Sequence, residues 1–332
     1  MPDLASGYAG KRVLVTGGLG FIGSNLAIRL VRAGADVTVV DSLIPDHGAN
    51  LFNLAPVEGQ VRVNMSDVRD THSTSWLVRG QDVIFSLAGQ VSHVDSMTDP
   101  VTDLEINATS QLTLLEACRA HNPGARLVLS ASRQQYGRPR YLPVDEDHPM
   151  VPIDVNGINK AAGEMYFLLY NEVYGMETCS LRLTNTYGPR MQMLHPRQGF
   201  IPWLVRLAIE GREIEVFGDG SQVRDFNYVD DVVDALLLAG TRPEVVGKAW
   251  NLGHREPASL KTFVETLLGV SDGGGGFRLV PFPEERARID IGSVYADFSR
   301  YEAAVGWTPQ VDLAEGLSRM VEYYREHHDR YW

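Results

Sequence analysis

The sequence predicts an α/β chain built on a doubly wound parallel sheet, and three observations carry that prediction. Apolar strand candidates alternate with helical patterns through the first half of the chain. A glycine-rich turn joins the first strand to the first helix. The second strand ends on an acidic residue, about 20 residues beyond those glycines.

The first strand, 12–16, is the apolar run Val13-Leu14-Val15 with its flanks. Gly17, Gly20 and Gly23 follow, and 24–33 carries the period of an amphipathic helix. Each glycine has a mechanical reason: a tight turn, close approach of backbone to phosphate, and close helix–strand packing. Phe21 and Ile22 lie in the same turn, so the N–H groups at the helix start face an anion. An ordinary tight βα turn is the competing reading, but the second strand, 36–40, ends at Asp41 followed by Ser42. That carboxylate suits a ribose diol and would repel a 2′-phosphate, and no Arg lies within 41–52. NAD is therefore favoured over NADP.

The third strand is 61–64. Asp67-Val68 after it would meet an adenine edge, or Asp67 is a plain strand-end acid. The fourth, 82–87, runs into Leu87-Ala88-Gly89, small enough for a cofactor to lie close. The long helical pattern 101–121 carries Asn107, which taken alone reads as a surface or capping residue but is counted among the cofactor-binding candidates. The fifth strand, 126–130, leads into Ser132 on the cleft where a nicotinamide should lie. Helix 157–174 places Lys160 one turn in, able to bind ribose hydroxyls and lower the pKa of a nearby acid. The sixth strand is 178–184.

After Tyr187 the rhythm gives way to loops rich in proline and glycine. A strand–helix pair at 227–240 is expected to return to the sheet, 273–276 is a flexible loop, and a terminal helix spans 313–327. The domains expected are 10–185 with about 227–252 for the dinucleotide, and a smaller, irregular α/β substrate domain of 186–226 and 253–332.

A net charge of −12 argues against nucleic-acid or anionic-membrane partners. No apolar run approaches membrane-spanning length, and the first residues lack the layout of a signal peptide. Cys118 and Cys179 read as buried thiols, no metal is expected, and a cytoplasmic setting follows.

Together these segments resemble the extended short-chain dehydrogenase/reductases, specifically the nucleotide-sugar epimerases and dehydratases. The resemblance rests on Thr16 to Gly23, Asp41-Ser42-Leu43, Leu87-Ala88-Gly89-Gln90, Ser132 before Tyr136-Gly137, and Lys160. Arg182 to Arg190, Val223 to Asp231 and Tyr295-Ala296-Asp297 add to it. It implies a Rossmann domain and a small nucleotide-sugar domain, with Ser132 ordering the sugar and Lys160 holding the nicotinamide ribose. It implies Asn185 and Arg224 as ligands of a sugar nucleotide's diphosphate, with Phe217 against the base. A second diphosphate arginine is expected near Asp290, either Arg288 or Arg286. Arg190 and Arg197 would each suit a sugar carboxylate. A UDP-sugar is the favoured substrate and a homodimer through helices 101–121 and 157–174 the expected assembly. Gln90 and the following Val91-Ser92-His93 also resemble epimerases acting at C2.

Two departures matter. The family's base is a tyrosine four residues before the lysine, and here that position is Asn156. An amide has no proton to exchange near neutral pH, and a positioned acid–base group is worth roughly 10²–10⁴ in rate. Three readings stay open: a deliberate inactivating substitution, an enzyme in which Tyr136 or a water carries the proton, and a non-catalytic NAD–sugar binder. The intact Gly157-Ile158-Asn159-Lys160 favours a single change over decay. The second departure is Arg133-Gln134 after Ser132, where the family's dehydratases and decarboxylases place an acid. A 4-epimerase is therefore expected, with decarboxylation or 4,6-dehydration as the alternative.

Overall fold

A computed structural model describes residues 6–45 and 47–332. Seven parallel strands form the main sheet, in the order β11-β6-β5-β4-β1-β2-β3. They are β1 Arg12–Thr16, β2 Asp36–Val40, β3 Arg62–Asn64, β4 Val83–Ser86, β5 Arg126–Ser132, β6 Thr178–Leu183 and, at the far edge, β11 Ala249–Asn251. Between them run α1 Phe21–Arg32, α2 Thr71–Leu77, α3 His93–Thr98, α4 Pro100–Leu104, α5 Ser110–His121 and α6 Val155–Tyr174.

The near-continuous apolar strands follow from burial on both faces. Val13, Val15, Phe85 and Val128 join one core cluster, with α1 and with α8 Val229–Thr241. Leu14, Ile84, Leu127 and Leu129 join another, with α5 and α6. Successive residues thus take opposite faces, as the two-residue period demands.

The long helix expected over 101–121 is not one helix. A π-helical turn, Glu105–Thr109, separates α4 from α5 and buries Ile106, Asn107 and Ala108 in succession. Asn107 is 1% exposed, so its reading as a plain surface residue fails. The strand expected near 227 does not rejoin the main sheet. Instead β7 Asn185–Tyr187 and β10 Phe226–Tyr228 pair with each other, and β11 completes the sheet by pairing with β6.

The remaining elements are α7 Phe200–Ile209, β8 Ile214–Phe217, β9 Val223–Arg224, β12 Ala258–Ser259, α9 Leu260–Ser271, β13 Phe277–Val280, α10 Glu284–Arg288, α11 Ser299–Val305 and α12 Leu313–His327. Two small sheets, β12-β9 and β13-β8, belong to this part. The terminal segment is tied to the first half: the Tyr324 hydroxyl donates to the Met191 carbonyl at 2.8 Å and the Tyr331 hydroxyl to Asn53 Oδ1 at 2.6 Å. Cys118 and Cys179 are both free and buried. No described helix is long and apolar enough to cross a membrane, and the described residues hold no metal-ligating cluster.

Candidate active site

A cleft of about 1220 Å³, open mouth included, runs along the C-terminal ends of the strands. Gly17, Gly20, Phe21, Ile22, Gly23, Asp41, Ser42, Asp67, Val68, Leu87, Ala88, Gly89 and Lys160, all picked out from sequence, line it. The cleft is shaped by the lack of side chains. A Cβ added at Gly17, where φ is +69°, would lie 2.8 Å from the Ala88 nitrogen. One at Gly18 would lie 2.3 Å from Val39 Cβ, so this glycine is as constrained as its neighbours. Thr16 Oγ1 accepts the N–H groups of Leu87 and Ala88, each at 3.2 Å, and so locks the β1 and β4 ends together.

Asp41 Oδ2 accepts the Leu19 N–H and Oδ1 the Leu43 N–H, both at 3.1 Å. Burial raises this carboxyl while those backbone donors pull it back. Asp67 is held by Arg69, through contacts of 3.0 and 2.7 Å, which sets its carboxyl below the ordinary value. The fixed carboxylates, the bare glycine turn and the depth beside Gly89 fit a dinucleotide.

Deeper in, Lys160 reaches Gly89 so closely that a Cβ there would meet Nζ at 2.5 Å. Burial pushes its amine down to about 8, against the pull of Asp103. Asn156 does not face this space freely. Its Nδ2 donates to the Gln90 carbonyl at 2.8 Å and to Asp103 Oδ2 at 3.0 Å. Asn159 donates to the other Asp103 oxygen at 2.8 Å, and Asn107 to the Gln90 carbonyl at 3.0 Å. Sequence reasoning missed Asp103 and took Gln90 only as part of a motif. Asn156 and Asn159 share a face of α6, but nothing local announces that Asp103 of α4 meets it.

Ser132 ends β5 and caps the following turn, its Oγ accepting the Gln134 N–H at 3.2 Å. Ser130, two residues earlier, is the serine that lines the cleft. Tyr136 is unsuited to proton transfer here. It is buried, its hydroxyl donates to Asn251 at 2.7 Å and accepts from Arg182 at 2.6 Å, and burial pushes it up to about 12.

Beyond Ser132 two arginines and two carboxylates come together. Arg224 is buried beside Asp290, at 3.7 Å, and its guanidinium also donates to the carbonyls of Val223 and Gly292. Arg133 lies within reach of it; burial, then the charge of Arg224, push Arg133 down to about 10. Arg133 Nε and Asn185 Nδ2 are both buried without a hydrogen-bond partner. Asp225, pushed up to about 6 by burial, lies nearby.

Arg288, by contrast, is exposed on α10 and paired with Glu284 at 3.1 Å. The Arg286 side chain lies outside the described residues. Phe217 packs on Phe282, with ring centroids 5.6 Å apart. Arg190 is taken up structurally, donating to Asn25 Oδ1 at 2.7 Å and to the Asn53 carbonyl at 3.2 Å. The loop carrying Gln192 and Gln198 also lines the cleft.

Residues 13–253 match the NAD-dependent epimerase/dehydratase family. The chain is 34% identical to the UDP-glucose 4-epimerase of Mycolicibacterium smegmatis, over 95% of this chain and 98% of that one. It is 32% identical to the dTDP-glucose 4,6-dehydratase of Streptomyces griseus, over 95% and 94%. The crystal structure of UDP-glucose 4-epimerase with UDP-glucose from Thermotoga maritima superposes with a TM-score of 0.87. It is 29% identical and covers 96% of this chain and 99% of its own.

Proposed function

The chain belongs to the NAD-dependent epimerase/dehydratase family, and on that premise we propose that it is a nucleotide-sugar 4-epimerase acting on a UDP-sugar through a transient ketone. Its cofactor is NAD. Arg133 carries the reading, in two ways. Its Nε is buried without a partner and it lies within reach of the charge of Arg224, and these two guanidiniums, with the orphaned Asn185 amide, would take a diphosphate in competition with Asp290 and Asp225. It also fills the position after Ser132 where elimination or decarboxylation would want a carboxylic acid, and Gln134 beside it is an amide.

Bound dinucleotide supplies a reversible hydride acceptor. Gly17, Gly20 and Gly23 would take its pyrophosphate, Asp41 and Ser42 the adenine-side ribose, Asp67 and Val68 the adenine, and Lys160 the nicotinamide ribose. Ser132 orders the sugar hydroxyl, and Arg133, Arg224 and Asn185 hold the diphosphate. The enzyme works as a cytoplasmic homodimer. Val101 and Leu104 on α4 and Ile158, Met165, Leu169 and Val173 on α6 are exposed apolar residues, and a second copy presenting the same stripe covers them.

Proton NMR of UDP-glucose incubated with the chain and NAD should show UDP-galactose appearing. Arg133→Met should raise KM at least tenfold, the order expected for one charge-assisted contact. A 4-keto-6-deoxy sugar or released carbon dioxide would replace this reading by dehydration or decarboxylation.

A further inference from the structure

Asn156 cannot accept a proton, yet the polar network around it contains a group that can. His93, the first residue of α3, sits next to residue 156 through a single hydroxyl. Ser96 Oγ donates to the His93 carbonyl at 2.8 Å and accepts the Asn156 N–H at 3.3 Å. A second link runs through Asp154, the N-cap of α6. His93 Nδ1 lies 3.1 Å from Asp154 Oδ2, and the Asp154 side chain is closed to solvent. The same Oδ2 accepts Gln134 Nε2 at 2.7 Å, while Oδ1 accepts the Gly157 N–H at 2.6 Å. The Gln134 N–H donates in turn to Ser132 Oγ. These contacts tie the backbone of His93 to the start of α6 and its ring to Asp154, which Gln134 joins to the turn after Ser132.

The ring is buried on its Nδ1 side. Nδ1 is buried, whereas the side chain as a whole is 37% exposed, so its exposure falls on the rest of the ring. The approach to Asp154 lies off the hydrogen-bond axis, a looseness that catalytic contacts lose when substrate seats.

We infer that His93 is the proton-transfer residue of this chain, oriented by Asp154, and that Asn156 is a positioning residue; the inference rests on the epimerase reading. Burial alone would raise the Asp154 carboxyl, but His93, the Gly157 N–H and Gln134 hold it below its ordinary value. An ionised Asp154 fixes the imidazole proton on Nδ1 and leaves the Nε2 lone pair for the sugar hydroxyl. The hydroxyl O–H bond breaks and its proton passes to Nε2. Bound dinucleotide would take the hydrogen on the same carbon as hydride, leaving a carbonyl. The reverse transfers, to the other face of that carbonyl, restore both hydrogens. The oriented imidazole uses the logic that a buried carboxylate serves in hydrolytic triads.

The first test needs no cofactor. Nitrogen-15 NMR of the imidazoles, with His93→Gln used to assign the signal, should show neutral His93 protonated on Nδ1. Asp154→Asn, which keeps the helix cap, should release that preference. Neutral His93 protonated on Nε2 in the unsubstituted chain would overturn the inference.

The second test is turnover of UDP-glucose. His93→Gln should lower kcat by about 10²–10⁴ with KM changed less than about threefold. Unchanged kcat would remove the role of His93 and leave the epimerase reading standing. Absence of turnover of any UDP-sugar by the unsubstituted chain would overturn both.

Discussion

Lys160 carries a cost that the cleft imposes on it. Burial pushes its amine down to about 8 in the folded chain, with only Asp103 opposing. The unfolded value is near the ordinary 10.4. Between those values the unfolded state binds more protons than the folded one, so this contribution to stability rises with pH. Below about pH 8 both states are protonated and the full penalty is present. Lys160→Met should therefore stabilise the cofactor-free chain by about 2 kcal/mol at pH 7 and by progressively less towards pH 10. Urea unfolding at the two pH values checks this, and an equal gain at both would refute it. At this scale the glycines, Asp41 and Lys160 were legible because their constraints are local: a turn, a strand end, a helix register. His93, Asp103 and Asp154 were not. The Asp103–Asn156 contact spans 53 residues, and no spacing rule reports a partner supplied by another helix.

Helix α6 is fastened to the sheet by a buried charge pair. Glu164 is fully buried and lies 2.5 Å from Arg182 of β6, with Ser180 Oγ donating to it at 2.8 Å. Removing one partner of such a pair leaves an uncompensated charge in the interior. Glu164→Gln should cost about 3–5 kcal/mol, read as a lower urea midpoint; a loss under about 1 kcal/mol would mean that water or a neighbour repairs the site. The elements were unevenly legible for physical reasons. Strands β1 and β2 showed themselves as apolar runs bounded by turn residues. Strand β11 is only three residues long and its pairing is entirely non-local, so no window of sequence reveals it. The π turn at Glu105–Thr109 leaves the apolar pattern of a continuous helix almost intact, and only the burial of Asn107 betrays it.

At the level of the molecule, the α4–α6 face should decide the oligomeric state. Leu169→Arg puts a charge into that stripe, and sedimentation should then find monomers where the unsubstituted chain gives dimers; a monomeric parent would refute the assembly. The order of the main sheet has a further consequence during synthesis on the ribosome. Residues 184–248 leave the sheet before β11 returns to close it. The edge of β6 thus emerges with its outer N–H and C=O groups bare and stays so until codon 251 has been read. A nascent chain halted inside that interval offers an open template to any other extended segment. Ribosome stalling or truncation there should produce aggregates, whereas release of the full chain should not. For this protein the vulnerable moment is set by where one short strand falls in the message.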